Sequence, residues 1–145
     1  MTDALSRPSI VSGPVPPQAV EAERSVLASM LLGSEAVGRT VELVEASVFY
    51  RTAHQKIFDA IVALYNRSEQ ADSITVTEEL RKRGDLEAVG GPAMIAQILE
   101  YATTTANLEE HIKIVASKAV LRSLIRATQE IQEESFAASD ETGDI

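Results

Sequence analysis

Apolar residues recur along most of the chain three or four positions apart, which is the spacing of an α-helix with one buried side. The clearest run lies between Phe49 and Arg67. At about 100° per residue, six residues of this run share one face: His54, Ile57, Phe58, Ile61, Leu64 and Tyr65. The alternating pattern typical of strands extends no further than residues 73–76. The sequence therefore predicts an all-α protein.

Turn residues and capping signals divide the first two thirds of the pattern into short helices. Two prolines at 16–17 suit the first turn of a helix that runs to about Leu32 and stops at Gly33. Ser34 is expected to cap a second helix. The apolar side of that second helix is formed by three valines: Val37, Val41 and Val44.

Later signals mark three more helices. Thr75–Glu78 has the sequence of a capping box, and Gly84 ends the helix that the box begins. Gly90 and Gly91 form a break, and Pro92 then opens a new helix. The chain is thus predicted to form a compact head of about five to six helices over residues 16–103. Residues 1–15, which mix Ser, Pro and Gly without a period, are predicted to be a disordered tail.

The last helix, predicted from about Asn107 to Phe136, changes its apolar side halfway along. Three residues of its first half fall in one sector: Leu108, Ile112 and Val115. The apolar residues of its second half lie on the opposite side: Val120, Leu121, Leu124, Ile125 and Ile131. Residues 137–144 read as a turn, with Asp140 capping whatever follows.

A helix buries whichever face has a partner, so the change of side indicates two partners. The first set of residues is expected to anchor the helix to the head. Residues 137–145 are too few to cover the five aliphatic side chains of the second set, so their partner is either chain beyond Ile145 or another copy of the protein. We expect an arm that projects from the head and self-association through this arm. In the alternative, the helix kinks near Ser117 and both faces belong to one core, although neither Gly nor Pro is present there to ease a kink.

Composition narrows the classes of function. The chain has 145 residues, a formal net charge of −9, no Cys and only 4% aromatic residues. An acidic domain repels phosphate backbones, so it is a poor nucleic-acid binder by itself. The lack of Cys excludes disulfides, thiolate catalysis and Cys-ligated zinc. Neither a membrane span nor a secretion signal is recognisable, and a cytoplasmic location is expected.

The sequence offers little catalytic chemistry. His54 lies on an apolar face and is expected to be a core residue bonded to backbone, whereas His111 lies on a solvated surface. No nucleophile elbow, metal-binding His pattern or Walker phosphate loop is present. The chain alone is therefore not expected to hydrolyse ATP or to hold a cofactor or metal.

Two basic groups remain. Arg81–Arg83 ends a helix, where positive charge favours the helix dipole. Lys118, Arg122 and Arg126 form a row at successive helical turns. This row either holds an acidic surface of a partner protein or only solubilises the helix.

Four runs of the sequence, in order, resemble the N-terminal domain of bacterial replicative DNA helicases of the DnaB type. They begin at residues 15, 49, 75 and 106: VPPQAVEAERSVLASML, FYRTAHQKIFDAI, TVTEELRKRGDLEAVGG and ANLEEHIKIVASKAVLRSLI. The resemblance extends over about residues 15–136. It departs at Met94, where the family usually has an aromatic residue, and at Ala28, where it has Gly.

The resemblance implies a function in DNA replication. The family forms a hexameric ring that unwinds duplex DNA 5′ to 3′ with ATP and magnesium, and single-stranded DNA passes through the ring. Its N-terminal domains pair through helical hairpins into dimers and then a trimer of dimers. This collar recruits primase and takes part in loading, which implies a helicase loader as a further partner.

By the same resemblance, residues 104–145 would form the first arm of a truncated hairpin, and the ATPase motor domain would lie beyond Ile145. The alternative is a free-standing helical adapter or regulator that never carries a motor. The sequence following Ile145 distinguishes these two possibilities.

Overall fold

The computed structural model describes residues 14–102 and 106–143, with backbone alone for 142–143. This described part contains seven α-helices and one 3₁₀ turn but no strand, as the sequence predicts. The helices are α1 (Val20–Met30), α2 (Ser34–Leu43), α3 (Thr52–Asn66), α4 (Ser73–Arg83), α5 (Leu86–Val89), α6 (Gly91–Leu99) and α7 (Leu108–Gly143). The 3₁₀ turn spans Ala46–Val48, between α2 and α3.

Helix α3 lies at the centre of the core. It packs against α1, α2, α4, α5 and the 3₁₀ turn. The predicted inward face is confirmed for five of its six residues, since only Tyr65 stays about one third exposed. Phe58 stacks against Phe49, with 5.2 Å between the ring centroids. The rest of the core is almost entirely aliphatic, as a chain so poor in aromatic residues requires.

Helix α1 begins at Val20, later than the two prolines predict. A proline disfavours helical geometry in the residue before it, so Pro16 cannot easily be helical ahead of Pro17. The helix ends at Met30, shortly before Gly33, and α2 starts at Ser34. Val37 is fully buried, and the other two valines of the predicted apolar side pack against the core.

The cap of α4 differs from the prediction. The helix begins at Ser73, and its capping box is formed by Asp72 with Thr75. The Asp72 carboxylate accepts the amides of Ile74 and Thr75 at 3.0 and 2.9 Å, while the Thr75 hydroxyl accepts the Asp72 amide at 2.9 Å. Thr75 therefore belongs to a box, but as its last member and not its first. Gly84 ends the helix in the left-handed conformation, as predicted.

The break at Gly90 and Gly91 brings the backbone of Gly90 close to Met94. Gly90 has φ +109°, and a Cβ placed on it would come within 3.0 Å of the Cβ of Met94. The flexible Met94 side chain thus packs directly over the bare glycine and joins the edge of the core. Glycine at position 90 is required both by its backbone angle and by this close approach.

The contacts of the chain separate two units, one from Gln18 to Leu121 and one made of the residues before and after it. Helix α7 continues without interruption from Leu108 to Gly143, so the predicted turn at residues 137–144 is wrong. Two alanines at 137–138 favour the helix, and Asp140 is tolerated within it. The first residue there that strongly disfavours a helix is Gly143.

An ion-pair cluster fixes the loop between α3 and α4. Arg67 donates to the nearly buried Glu79 carboxylate at 2.9 Å, and Arg83 donates to it at 3.0 Å. The same Arg67 donates to Glu69 at 3.1 Å. The hydrogen bonds from Arg67 and then Arg83 lower the pKa of Glu79 from its ordinary 4.5 to about 2. The folded state therefore holds this carboxylate ionised more strongly than the unfolded chain does.

Replacement of Glu79 by Gln is expected to destabilise the fold by about 1–2 kcal/mol at neutral pH, because both arginines stay partly solvated. The difference in free energy of unfolding between the wild type and the variant should have its full size above about pH 4.5. It should shrink as the pH falls towards 2, where the Glu79 carboxylate of the folded wild type also becomes protonated. Denaturant unfolding at several pH values measures this. Glu78→Gln, which removes an exposed ion pair with Arg81, is the control. If the loss of stability caused by Glu79→Gln did not vary with pH, the lowered pKa assigned to Glu79 in the folded state would be contradicted.

Candidate interaction site

The five residues predicted to contact another subunit all lie exposed on α7. Their exposed fractions range from 44% for Leu121 and Ile125 to 63% for Ile131. Ile114 and Phe136, at 43% and 67%, add to the exposed apolar surface. Aliphatic side chains this exposed and this numerous on one helix typically mark a surface that another protein covers.

The opposite side of the first turns of α7 is buried. Leu108, Ile112 and Val115 are at most 5% exposed and belong to the core, as predicted for anchoring residues. The helix is continuous through Ser117, and Leu121 and Leu124 lie outside the core. A kinked helix with both faces in one core is therefore not what the chain forms. The assignment of the exposed residues to a subunit contact stays a prediction.

The basic row is only partly available to a partner. Lys118 is half-buried and Arg126 is exposed. Arg122 is half-buried and donates a hydrogen bond from Nη1 to the backbone carbonyl of Pro17 at 2.8 Å. It thereby ties the segment that precedes α1 to α7. Partner binding by this row remains a prediction, and Arg126 is its most accessible member.

Charge is segregated along α7. Residues 118–126 contain three basic and no acidic residues, whereas residues 130–141 contain five acidic and no basic residues. The acidic end coincides with the C-terminus of the helix, where negative charge opposes the helix dipole. Arg126 and Glu130 are one turn apart, yet the described residues show no ion pair between them. The helix therefore carries charge that its own residues do not neutralise.

A buried acid–histidine pair is the feature that the sequence analysis missed. His54 is buried as predicted, but its Nδ1 lies 2.7 Å from the carboxylate of Glu23 and not against backbone. The same carboxylate accepts the backbone amides of Tyr50 at 2.6 Å and Arg51 at 3.4 Å. Glu23 thus links α1 to the start of α3. A recognisable signal exists: Glu23 lies on the apolar stripe of its helix, as His54 does on the stripe of α3.

The described residues hold neither a cluster of metal-binding side chains nor a membrane-spanning helix. Among residues 14–102 and 106–143, no group of three or more His, Cys, Asp or Glu side chains could hold a metal ion. No helix in this part of the chain combines the length and hydropathy that crossing a membrane requires. The described residues do carry an exposed apolar face on α7.

Known proteins match both the sequence and the fold. The sequence pattern of the DnaB-like helicase N-terminal domain matches residues 15–117. The chain is 40% identical over 133 residues to the replicative DNA helicase DnaB of Mycobacterium leprae (strain TN), covering 92% of this chain and 22% of that protein. It is 39% identical over 127 residues to that of Geobacillus stearothermophilus, covering 88% and 28%. The chain therefore spans less than a third of the length of these relatives.

Two solved structures share the fold. The crystal structure of the N-terminal domain of DnaB helicase from Mycobacterium tuberculosis superposes with a TM-score of 0.83 at 41% identity, over 85% of each chain. A structure of the N-terminal domain of DnaB helicase from Helicobacter pylori, described together with its interactions with primase, gives 0.71 at 17% identity, over 80% of this chain and 90% of that one. The all-α chain, with its exposed face on α7, belongs to the DnaB-like helicase N-terminal domain family.

Proposed function

We propose that this chain acts as the oligomerisation and partner-recruitment domain of a replicative DNA helicase. Within the helicase, such domains would pair into dimers and assemble as a trimer of dimers, forming the collar of a hexamer. The observation that carries this proposal is the exposed aliphatic face of α7 on a chain of this family. Residues 16–103 would form the head, and residues 104–145 would form the hairpin arm that makes the subunit contact.

The exposed face is large enough to hold two subunits together. Complete burial of a Val, Leu or Ile side chain contributes roughly 1.5–3 kcal/mol. Five such side chains, each about half exposed, leave several kcal/mol of hydrophobic stabilisation unused in a single copy. Association costs translational and side-chain freedom, so only part of this sum appears as affinity.

The motor functions would belong to the rest of the helicase. The relatives that the chain matches are several times longer than the matched region. ATP and magnesium would bind there, and 5′-to-3′ unwinding with single-stranded DNA inside the ring would be carried out there. The acidic domain described here repels nucleic acid and acts on proteins instead. Its place of action would be the bacterial cytoplasm, at the replication fork.

Recruitment would proceed through the accessible charges of α7. Primase is the expected partner, and a helicase loader is the second. The primase interactions described for the Helicobacter pylori domain concern a protein with the same fold. On this chain, Arg126 and Lys118 offer positive charge next to the exposed apolar face. Such charges steer an acidic partner surface into place and increase the rate of association.

Reversal of Arg122 and Arg126 to Glu is expected to weaken primase binding about tenfold, because two attractive charges become repulsive. Binding of purified primase to the wild type and the variant, measured by calorimetry at low and moderate salt, tests this. The single change Arg126→Glu should cause most of this loss of primase affinity, because Arg126 is the most accessible residue of the row. It also leaves the hydrogen bond from Arg122 to Pro17 intact.

The matched control is the double change of Arg81 and Lys82 to Glu. It alters the net charge by the same amount on exposed residues at the end of α4. Primase affinity should stay close to that of the wild type in this control. Equal affinity of all the variants would show that the row on α7 is only a solvated surface.

A further inference from the structure

The segment that precedes α1 is rich in proline. Residues 14–17 read Pro-Val-Pro-Pro and hold three of the five prolines of the chain. Proline fixes φ at about −65° and lacks a backbone N–H, so the segment is stiff. It presents four carbonyl acceptors but only one amide donor, that of Val15. Such a segment bonds readily to a side chain with several N–H groups. Residues 14–17 are called the strap below.

Helix α7 supplies a donor of this kind. Arg122 donates from Nη1 to the carbonyl of Pro17 at 2.8 Å, although the two residues are 105 positions apart in the sequence. Of the side chains described from Val120 to Glu141, only that of Arg122 is half-buried, and the others are exposed. The strap also belongs to the same contact unit as α7 from Arg122 onward. The strap therefore lies against α7 at Arg122.

The guanidinium of Arg122 cannot bond fully to both the strap and a partner protein. Arginine binds a carboxylate best through two parallel N–H···O bonds. In this structure Nη1 already donates to the Pro17 carbonyl, and the side chain is half-buried, which restricts the approach of a carboxylate. Arg126, one turn further along the same row, is exposed. Two arginines of one row thus differ in their availability to an acidic surface.

We propose that the strap is an autoinhibitory contact that occupies Arg122, so that a partner with an acidic surface gains this arginine only by displacing the strap. The inference rests on the proposed recruitment function and adds regulation to it. A site whose binding-competent state is only partly populated has an affinity reduced by that fraction. The strap therefore limits the affinity of the basic row, while the exposed Arg126 still attracts the partner in the first encounter.

Loosening the strap tests the proposal. Pro16→Gly combined with Pro17→Gly keeps the backbone carbonyl at position 17 and the net charge, but it makes the segment flexible. Docking of the strap should then weaken about fivefold, and primase should bind up to about fivefold more tightly in calorimetry. Circular dichroism checks that the helices are retained. Unchanged or weaker primase binding by the loosened chain would overturn the proposal.

Arginine replacements in both backgrounds identify the residue that the strap masks. Arg122→Gln should change primase affinity less than about twofold in the wild type but reduce it about fivefold in the loosened chain. Arg126→Gln is the matched control, and it should cause the same loss in both backgrounds because Arg126 is exposed in each. Equal effects of Arg122→Gln in the two backgrounds would overturn the masking of Arg122.

A spin label on the strap measures its docking without a partner. The chain has no native Cys and Val15 is 74% exposed, so Val15→Cys accepts a nitroxide with little disturbance of the fold. The label should move slowly in the otherwise wild-type chain and faster when Arg122→Gln is added. A label that is equally mobile in both chains would overturn docking of the strap on α7.

The same label separates this regulation from the recruitment function. Saturating primase should increase the mobility of the label, since the bound partner displaces the strap. Primase that binds without mobilising the label would overturn autoinhibition and leave the recruitment function standing. Primase that binds neither the wild type nor the loosened chain would overturn the recruitment function and its regulation together.

Discussion

Replacing Leu124 with Asp is expected to abolish self-association while leaving the head folded. Leu124 is 56% exposed in the single copy, so a carboxylate there stays solvated and costs the monomer little. In a dimer the change occurs twice, removes two buried Leu side chains and desolvates two charges. A loss of at least about 4 kcal/mol, or roughly a thousandfold in affinity, follows. Sedimentation equilibrium measures the mass, and circular dichroism checks the fold.

The control for this variant is the adjacent change Ser123→Asp. Ser123 is also exposed, but it lies outside the aliphatic face of α7. The Ser123→Asp change introduces the same charge at almost the same position along the helix, and it should leave most of the dimer affinity intact. If Leu124→Asp and the wild type sedimented with the same mass, the exposed face would not be the subunit contact.

The second large effect is expected inside the head, where Glu23→Ala should destabilise the fold by about 3–5 kcal/mol. The change removes the acceptor for His54 and for the backbone amides of Tyr50 and Arg51, and all three donors lose their partner at once. The buried His54 ring would carry the full cost of its desolvation, and the two partly buried amides would carry part of theirs. Domains of this size are stable by only about 5–15 kcal/mol, so the variant should be close to unfolding. Denaturant titration of the wild type and the variant measures the change in the free energy of unfolding.

Glu21→Ala is the matched control for the buried pair. Glu21 lies two residues away on the same helix and is exposed, so its removal should alter stability by less than about 0.5 kcal/mol. A similar small change for Glu23→Ala would show that the hydrogen bonds around His54 contribute little net stability. A histidine variant is harder to interpret, because it leaves the buried carboxylate with only the two backbone amides as donors.

The parts of the fold that follow from local pattern could be predicted from the sequence. The inward face of α3 is one example, because helical periodicity alone brings His54, Ile57 and Leu64 to one side. The change of side along α7 is another, since it is a property of one helix and needs no knowledge of its neighbours. The structure shows the buried and exposed halves where the pattern places them.

Features that depend on competition between neighbouring signals were harder to predict. Asp72 and Thr75 are both good capping residues, and the sequence alone does not decide between them, whereas in the structure Asp72 is the cap. The end of α7 was misplaced because Asp140 is compatible with both a turn and a helix. Glu23 and His54 are 31 residues apart in the sequence and lie on different helices, so only the tertiary fold brings them into contact. The hydrogen bond from Arg122 to Pro17 is hidden from the sequence for the same reason.

The two halves of α7 differ in what maintains their backbone hydrogen bonds. Before Ala119, buried side chains hold the helix closed, so its amides can exchange with solvent only when the head itself opens. Beyond Arg122, every side chain described up to Glu141 is exposed, and the helix there depends on its intrinsic propensity alone. Fraying from the far end therefore costs little in a lone copy, and capture by a neighbour must supply the ordering free energy. The helix of this segment is thus expected to resist unwinding better once a neighbour covers it.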